Sequence, residues 1–205
     1  RRMLEVQNAH TPGGVLKLMA SLPRVAEPGT LWNYSTGETH VAGALVRAAV
    51  GMPVSDYLSQ RIWSKVGMES DATWWLESPN GLEVGGSGLS ARLRDYGRFG
   101  LFLMNGGVAD GEQILPKDWV KEAGSPKIVD GKKVNYGYML WPIPDAEGTP
   151  NEGAFEARGI FGQHVYVNPK ENVVIVVWSA LPKPQRMATV QDNDFFAATI
   201  KALKQ

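Results

Sequence analysis

The sequence has 205 residues, of which 43% are hydrophobic and 20% charged, so it can bury a core and is unlike a disordered chain. Lys plus Arg (21) balances Asp plus Glu (21), and this balance gives no electrostatic reason to expect nucleic acid or an anionic membrane as a partner. The sequence contains no cysteine, which excludes disulfides, thiolate nucleophiles and Cys-ligated zinc. The longest apolar run, residues 173–178, has the length of a strand, so no membrane span is expected.

The first 130 residues are predicted to be mainly helical, because apolar residues recur there with a period of about 3.6. Proline stops a helix and glycine accepts the left-handed conformation at a helix end, so both mark boundaries. The clearest helix follows Ser90, whose side chain is of the N-cap type. The predicted helices are, in chain order, 15–23, the stretch between Tyr34 and Gly51, 54–66, 90–105 and a short one from Pro116.

From Val134 onward the apolar period changes to 2, which predicts strands. The strands are predicted at 134–141, 163–168 and 172–179, with Pro-Lys-Glu as a hairpin turn between the last two, and a final helix is predicted over 194–204. This order indicates an α+β or mixed α/β fold, with an antiparallel sheet flanked by helices. We expect residues 1–205 to be part of a single domain, with a mainly helical part (1–130) and a part (131–205) that holds the sheet hairpin and the terminal helix.

The histidines and one glycine-rich segment are weak candidates for chemistry. His10, His40 and His164 fit no metalloprotease motif, so structural or surface roles are predicted for them and no metal site is expected. The segment GGSGL (85–89) departs from the G-x-S-x-G nucleophile elbow at its last position, and no strand is predicted before it. We therefore interpret it as a flexible turn, which could still line a site.

Four carboxylates crowd the segment 145–156, and a glycosidase would need two carboxylates at a fixed separation with distinct pKa values. Clustering in sequence establishes neither condition, so a solvated loop is predicted instead. The four residues are Asp145, Glu147, Glu152 and Glu156.

Tyr34 and Gly159 remain as the better candidates. Tyr34 precedes an apolar helix, where it is either a buried ring or a proton carrier in an active site. Gly159 stands at the entry to the hairpin, and glycine there indicates a bulge or a close backbone approach. Backbone N–H groups freed at such a place can form an oxyanion hole.

Five blocks of the sequence, in the same order, resemble the serine β-lactamase and penicillin-binding protein superfamily. They are most similar to its esterase and amidase branch, which includes class C-like β-lactamase-related hydrolases and 6-aminohexanoate-dimer hydrolase. The resemblance covers nearly the whole chain and implies a β-lactamase/transpeptidase-like fold. The blocks are PGTLWNYSTGETHVAGALV, IWSKVGMESDATW, GGSGLSARLRDYGRFGLFLMNGG, YGYMLW and ARGIFGQHVYVNPKENVVIVVWS.

The family carries the motifs S-x-x-K, which supplies the nucleophilic serine and its lysine base, Y-x-N and K-T-G. The resemblance assigns Tyr34 to Y-x-N, with Thr36 in place of Asn, and aligns 157–159 (Ala-Arg-Gly) with K-T-G. It implies that Gly159 lets the N–H of Ile160 donate to the oxyanion. None of the eleven serines has Lys three positions later. The chain is therefore expected to be the C-terminal part of a longer or split enzyme, incomplete without an N-terminal part that carries S-x-x-K.

The resemblance implies a serine hydrolase of small esters or linear amides that acts through an acyl-serine, without a cofactor. Loss of the K-T-G lysine disfavours penicillins and D-Ala peptides, so a β-lactamase or D-Ala-D-Ala carboxypeptidase is a lesser alternative. Another is a non-catalytic penicillin-binding-type module, and the chain alone is predicted to be inactive. Members of this superfamily are periplasmic, secreted or cytoplasmic, so no location is expected. Besides catalytic Tyr34, Gly159 and Ile160, the expected substrate contacts include Thr36 and Arg158, although Arg158 would lie on the surface if the alignment shifted by one residue. The other expected contacts, for which packing or turn geometry is an equal explanation, are Ser87, Tyr136, Trp141, Phe161 and Gln163.

Overall fold

The computed structural model describes residues 2–144, 146–184 and 191–205. The chain forms two compact units, one made of Arg1–Lys65 and Ser70–Ala91 and the other of Val66–Glu69 and Arg92–Gln205. Together their helices and antiparallel strands confirm the predicted α/β (α+β) class.

The first unit is mainly helical. Its elements are α1 (Arg2–Asn8), α2 (Gly14–Ser21), α3 (Thr36–Val50), α4 (Val54–Leu58), a π-helical turn (Ser59–Trp63), and the short paired strands β1 (Thr73–Trp74) and β2 (Leu89–Ser90).

The boundaries of α2 and α3 confirm the helices predicted there. Helix α2 ends at Ser21, two residues before Pro23, as expected from the restriction that proline imposes. At the start of α3 the Ser35 hydroxyl accepts a hydrogen bond from the Glu38 N–H at 3.3 Å. At its end, Gly51 takes the left-handed conformation (φ 70°).

The continuous helix predicted over 54–66 is interrupted. It is α-helical only to Leu58 and continues as the π-helical turn to Trp63. The Trp63 indole then donates a hydrogen bond to the Ser70 carbonyl at 2.9 Å. The chain therefore turns back on itself after this helix.

The second unit contains helices on an antiparallel sheet. Its elements are α5 (Leu93–Met104), β3 (Val108–Ala109), β4 (Glu112–Gln113), α6 (Trp119–Ala123), β5 (Lys127–Val129), β6 (Lys132–Val134), β7 (Trp141–Pro142), β8 (Phe155–Arg158), β9 (His164–Asn168), β10 (Val173–Val177) and α7 (Asp192–Leu203). Strands β10, β9, β8 and β7 pair in that spatial order. The hairpin of β9 and β10 and the terminal helix α7 are confirmed.

Two helices cover opposite faces of this sheet, because neighbouring residues of a strand point to opposite sides. Helix α5 packs closely where Gly100 meets Val165 and Val174; a Cβ on Gly100 would lie 2.5 Å from a Val174 methyl carbon. On the other face, Phe196 of α7 stacks on the buried Tyr166 ring at 4.4 Å. The sheet is thereby fixed between two helical layers.

The strand predicted over 134–141 is wrong in its middle. Val134 ends β6 and Trp141 begins β7, and the residues between them turn, with Met139 at φ 60°. Gly137 lies so close to the Ala123 carbonyl that a Cβ would clash with it. This approach of the chain to the end of α6 overrides the alternating pattern.

Two predicted helix starts are also wrong. Ser90 is not an N-cap, because it pairs with Thr73 in the β1–β2 ladder, and α5 begins only after Arg92, whose backbone is extended. The short helix begins at Trp119 rather than Pro116. The Pro116 carbonyl instead closes a turn by accepting the Trp119 N–H at 3.0 Å.

Within residues 2–144, 146–184 and 191–205, no helix is long and apolar enough to cross a membrane. The same residues contain no group of three or more acidic, histidine or cysteine side chains suited to a metal ion.

Candidate active site

Tyr34 lies directly before the N-cap of α3 and its side chain is 50% exposed. The buried-ring alternative for this residue is therefore wrong. The helix entry fixes the backbone beside it, because Ser35 caps α3 with both its hydroxyl and its carbonyl. The half-exposed ring thus follows from a fixed backbone position, an arrangement compatible with a proton carrier.

The segment 85–89, hereafter the 85–89 loop, lies directly on the start of α3. A Cβ on Gly86 would be 2.5 Å from the Thr36 methyl carbon, and a Cβ on Gly85 would be 2.7 Å from the Thr39 carbonyl oxygen and 2.9 Å from the His40 Cα. Only glycine allows this approach. The structure therefore brings Thr36 and the loop that carries Ser87 together.

The 85–89 loop is a turn, as expected. Hydrogen bonds hold it from several sides, which argues against the flexibility predicted for it. The Trp74 indole N–H donates to the carbonyls of Val84 (3.0 Å) and Ser87 (3.2 Å). The Gly88 carbonyl accepts from the Trp75 N–H at 3.0 Å, and the Gly85 N–H donates to Nδ1 of His40 at 3.3 Å. Ser87 itself is exposed.

A buried histidine and a buried carboxylate lie behind this loop, and sequence reasoning missed their pairing. His40 is 0% exposed and Glu77 is 3% exposed, and Nε2 of His40 lies 3.5 Å from Oε2 of Glu77. The other Glu77 oxygen accepts the Gly13 N–H at 2.8 Å. Burial lowers the pKa of His40, although the neighbouring Glu77 carboxylate opposes the shift.

In the second unit, β8 ends at Arg158 and a tight turn follows, here called the 159–163 turn. The Gly159 N–H donates to the Gln163 carbonyl at 2.8 Å, and the Gly162 N–H donates to the Gly159 carbonyl at 3.2 Å. The Gln163 amide spans the turn: its oxygen accepts the Phe161 N–H at 3.2 Å, and its nitrogen donates to the Ser179 carbonyl at 2.8 Å.

Ile160 differs from its neighbours in the 159–163 turn. The N–H groups of Gly159, Phe161 and Gly162 are bonded within the turn, whereas the Ile160 N–H has no acceptor among the residues that the structure describes. The Ile160 side chain is 48% exposed. A fixed backbone donor without an internal partner is what an oxyanion site needs.

The remaining residues predicted to contact the substrate lie in or beside β7 and β8. Trp141 begins β7, pairs in register with Glu156 of β8, and meets the Tyr136 ring edge-on at 4.6 Å. Arg158 is exposed at the end of β8, and Phe161 is partly exposed in the turn. Packing explains the Tyr136–Trp141 pair as well as substrate contact does.

The expected solvated carboxylate loop is wrong for Glu156. This residue is buried in β8, where its Oε2 lies 2.6 Å from Nδ1 of the buried His164. Glu147 is exposed and Glu152 pairs with Lys170 near the surface, as expected for a solvated loop. Asp145, the fourth carboxylate of this group, lies outside the described residues.

Comparison with known proteins places these features in a family. A family model described as Beta-lactamase matches residues 3–199. The curated 6-aminohexanoate-dimer hydrolase of Paenarthrobacter ureafaciens is 27% identical over 164 residues, which is 75% of this chain and 40% of the relative. A Bacillus anthracis structure described as a candidate 6-aminohexanoate-dimer hydrolase superposes with a TM-score of 0.75 at 29% identity, over 93% of this chain and 47% of that one.

A Bacteroides dorei structure described as a candidate β-lactamase superposes with a TM-score of 0.68 at 19% identity, over 93% of this chain and 64% of that one. At this identity it supports the fold alone. These neighbours confirm the expected β-lactamase/transpeptidase-like fold. The chain spans less than half the length of the Paenarthrobacter and Bacillus proteins that it matches.

Proposed function

The chain belongs to the Beta-lactamase family, as the resemblance predicted, and from this membership we propose that it is part of a serine hydrolase. The proposed enzyme cuts small esters or linear amides through an acyl-serine intermediate. Its nucleophile comes from an S-x-x-K segment outside these 205 residues, so the chain alone is inactive.

The observation that carries this proposal is the Ile160 N–H. It follows the glycine that aligns with K-T-G, its neighbours' N–H groups are used inside the 159–163 turn, and no described residue accepts its hydrogen. A donor of this kind requires no reorganisation when a tetrahedral oxyanion forms, and such donors are worth about 10² to 10³ in rate.

In the proposed mechanism the lysine of S-x-x-K takes the proton of the serine hydroxyl, and the serine oxygen attacks the substrate carbonyl. The Ile160 N–H stabilises the oxyanion. Tyr34 carries a proton to the leaving oxygen or nitrogen, and its exposed position at the start of α3 supports this role. Water then attacks the acyl-serine and releases the acid.

The name of the Paenarthrobacter relative supports a linear amide as the substrate class. Arg158 is exposed at the end of β8, where we propose that it replaces the K-T-G lysine as a partner for a carboxylate at one end of the substrate. Thr36 and Ser87 are proposed to contact the polar backbone of the substrate, since both belong to the contact between α3 and the 85–89 loop.

The test is a pair of substitutions at Ile160 in the enzyme that includes the nucleophile segment. Ile160→Pro removes the N–H, whereas Ile160→Val keeps it and changes the side chain little. The proposal expects kcat to fall about 10² to 10³-fold in Ile160→Pro and little in Ile160→Val. Equal kcat in the two variants would contradict it. If the wild-type enzyme forms no acyl-serine at all, the non-catalytic binding module becomes the better interpretation.

A further inference from the structure

His40 and Glu77 are buried ionisable side chains for which the proposed mechanism has no use. Burying such groups is costly unless their polar atoms are satisfied, and apolar residues of the same size often stabilise a fold equally well. The burial of this pair therefore indicates that it has a specific function.

The hydrogen bonds define the protonation of the His40 ring. Because Nδ1 accepts the Gly85 N–H at 3.3 Å, Nδ1 carries no hydrogen and the proton of the neutral ring is on Nε2. That Nε2–H faces Oε2 of Glu77 at 3.5 Å, and no other described residue bonds either atom. Glu77 is itself fixed, because its Oε1 accepts the Gly13 N–H. Glu77 thus sets the tautomer that allows His40 to accept from Gly85.

The hydrogen bond from the Gly85 N–H to His40 holds the first residue of the 85–89 loop against α3. At Gly85 the loop already touches the backbone of Thr39 and His40, and one residue later Gly86 touches Thr36. The Trp74 indole holds the loop at the carbonyls of Val84 and Ser87. Nδ1 of His40, which accepts from Gly85, and the Trp74 indole, which donates to Val84 and Ser87, therefore hold the backbone of this loop from two sides.

We propose that His40, oriented by Glu77, is a positioning residue that holds the 85–89 loop against the first turns of α3 and so places Ser87 and Thr36 for the substrate. The inference rests on the proposed function for its catalytic consequence. Its structural part, the fixed Gly85 amide, does not depend on turnover.

Two substitutions test the roles of the two ring nitrogens of His40 separately. In His40→Asn the amide oxygen can stand near the position of Nδ1 and accept from Gly85, but nothing reaches Glu77. In His40→Gln the longer side chain can reach the position of Nε2 and donate to Glu77, but the acceptor for Gly85 is lost. The readouts are hydrogen exchange at the Gly85 amide, the melting temperature, and kcat/KM of the enzyme that includes its nucleophile segment.

We expect Gly85 exchange to be about tenfold faster and kcat/KM about tenfold lower in His40→Gln than in His40→Asn, which is the effect of one lost hydrogen bond. The Ser87→Ala background supplies a further check. If His40 acts through the loop, His40→Gln lowers kcat/KM less in Ser87→Ala than in the wild type, because the two changes share one effect.

Several outcomes would overturn the inference. The first is an equal rate of hydrogen exchange at the Gly85 amide in His40→Asn and His40→Gln. The second is a loss of kcat/KM that the change in melting temperature of each variant fully accounts for. Should His40→Gln not fold, Glu77→Gln replaces it. This variant keeps an acceptor for Gly13 but removes the charge that selects the tautomer, and unchanged Gly85 exchange would overturn the inference. The predicted exchange pattern in an enzyme that forms no acyl-serine would instead overturn the proposed function alone.

Discussion

Nδ1 of His164 and Oε2 of Glu156 lie 2.6 Å apart on adjacent strands, with both side chains buried. The other ring nitrogen of His164 lies 3.4 Å from Oδ2 of Asp192, the first residue of α7. His164 also pairs in register with Arg158, the residue before the 159–163 turn. This pair therefore connects the terminal helix to the end of the strand that presents Ile160.

Glu156→Gln should destabilise the protein by about 1 to 3 kcal/mol, because it leaves a buried polar contact imperfectly satisfied. The measurement is the free energy of unfolding in urea. Glu152→Gln is the matched control in the same unit, since Glu152 pairs with Lys170 near the surface, and it should change the midpoint little. Similar midpoints for the two variants would contradict the structural role of the buried pair.

Two glycines of α5 should respond oppositely to alanine. Gly100→Ala would place a methyl group 2.5 Å from Val174 and 3.2 Å from Val165, so we expect a loss of about 1 to 3 kcal/mol from overpacking. A Cβ on Gly97 would have no neighbouring atom within 4 Å, so Gly97→Ala should stabilise the helix by about 0.5 to 1 kcal/mol. Thermal unfolding of both variants checks this; stabilisation by Gly100→Ala would mean that α5 does not pack on the sheet as described.

His40 should make the free energy of unfolding fall as the pH decreases. Burial lowers its pKa below the ordinary value of 6.5 in the folded state, against the opposing effect of Glu77. The unfolded chain therefore binds a proton at a higher pH than the folded chain. This contribution is complete above pH 6.5 and is lost as the pH falls through the folded pKa, with a slope of at most about 1.4 kcal/mol per pH unit.

The measurement for His40 is urea unfolding between pH 5 and 8 for the wild type and His40→Asn, which cannot titrate at this position. As the pH decreases, the free energy of unfolding of the wild type should fall relative to that of His40→Asn. A difference that grows toward low pH would show that the folded state stabilises the charged ring.

Tyr34→Phe removes the proposed proton carrier and keeps the ring. We expect kcat to fall about 10² to 10⁴-fold, a loss much larger than any accompanying change in the stability of the fold, since the side chain is half exposed. Tyr138→Phe is the control, because Tyr138 is equally exposed and contacts Lys127 through its ring face. Equal kcat for the two phenylalanine variants would remove Tyr34 from the mechanism.

Much of the fold follows from local patterns. Alternation over 163–179 predicts the hairpin of β9 and β10, and Gly51 marks the end of α3 where the chain becomes left-handed. The failures come from tertiary contacts. Gly137 lies against the carbonyl of Ala123, and Ser90 pairs with Thr73 instead of capping a helix. Neither contact has a signal in the adjacent residues.

The candidate site divides in the same way. Motif order points to Tyr34, Gly159 and Ile160 from the sequence, but only the hydrogen bonds show that the N–H groups of Gly159, Phe161 and Gly162 are used inside the 159–163 turn. Glu156 stands among carboxylates that look solvated, and only the position of His164 on the next strand explains its burial. His40 and Glu77 are 37 positions apart in the sequence, so no spacing rule connects them.

The central claim, an acyl-serine enzyme whose nucleophile lies outside this chain, is tested most directly by labelling. The enzyme would be incubated with a fluorophosphonate, its intact mass measured, and the labelled peptide located by mass spectrometry. The account predicts one adduct, on a serine with lysine three positions later and on none of the eleven serines of this sequence. An adduct on one of those eleven serines, or hydrolysis without any adduct, would contradict it.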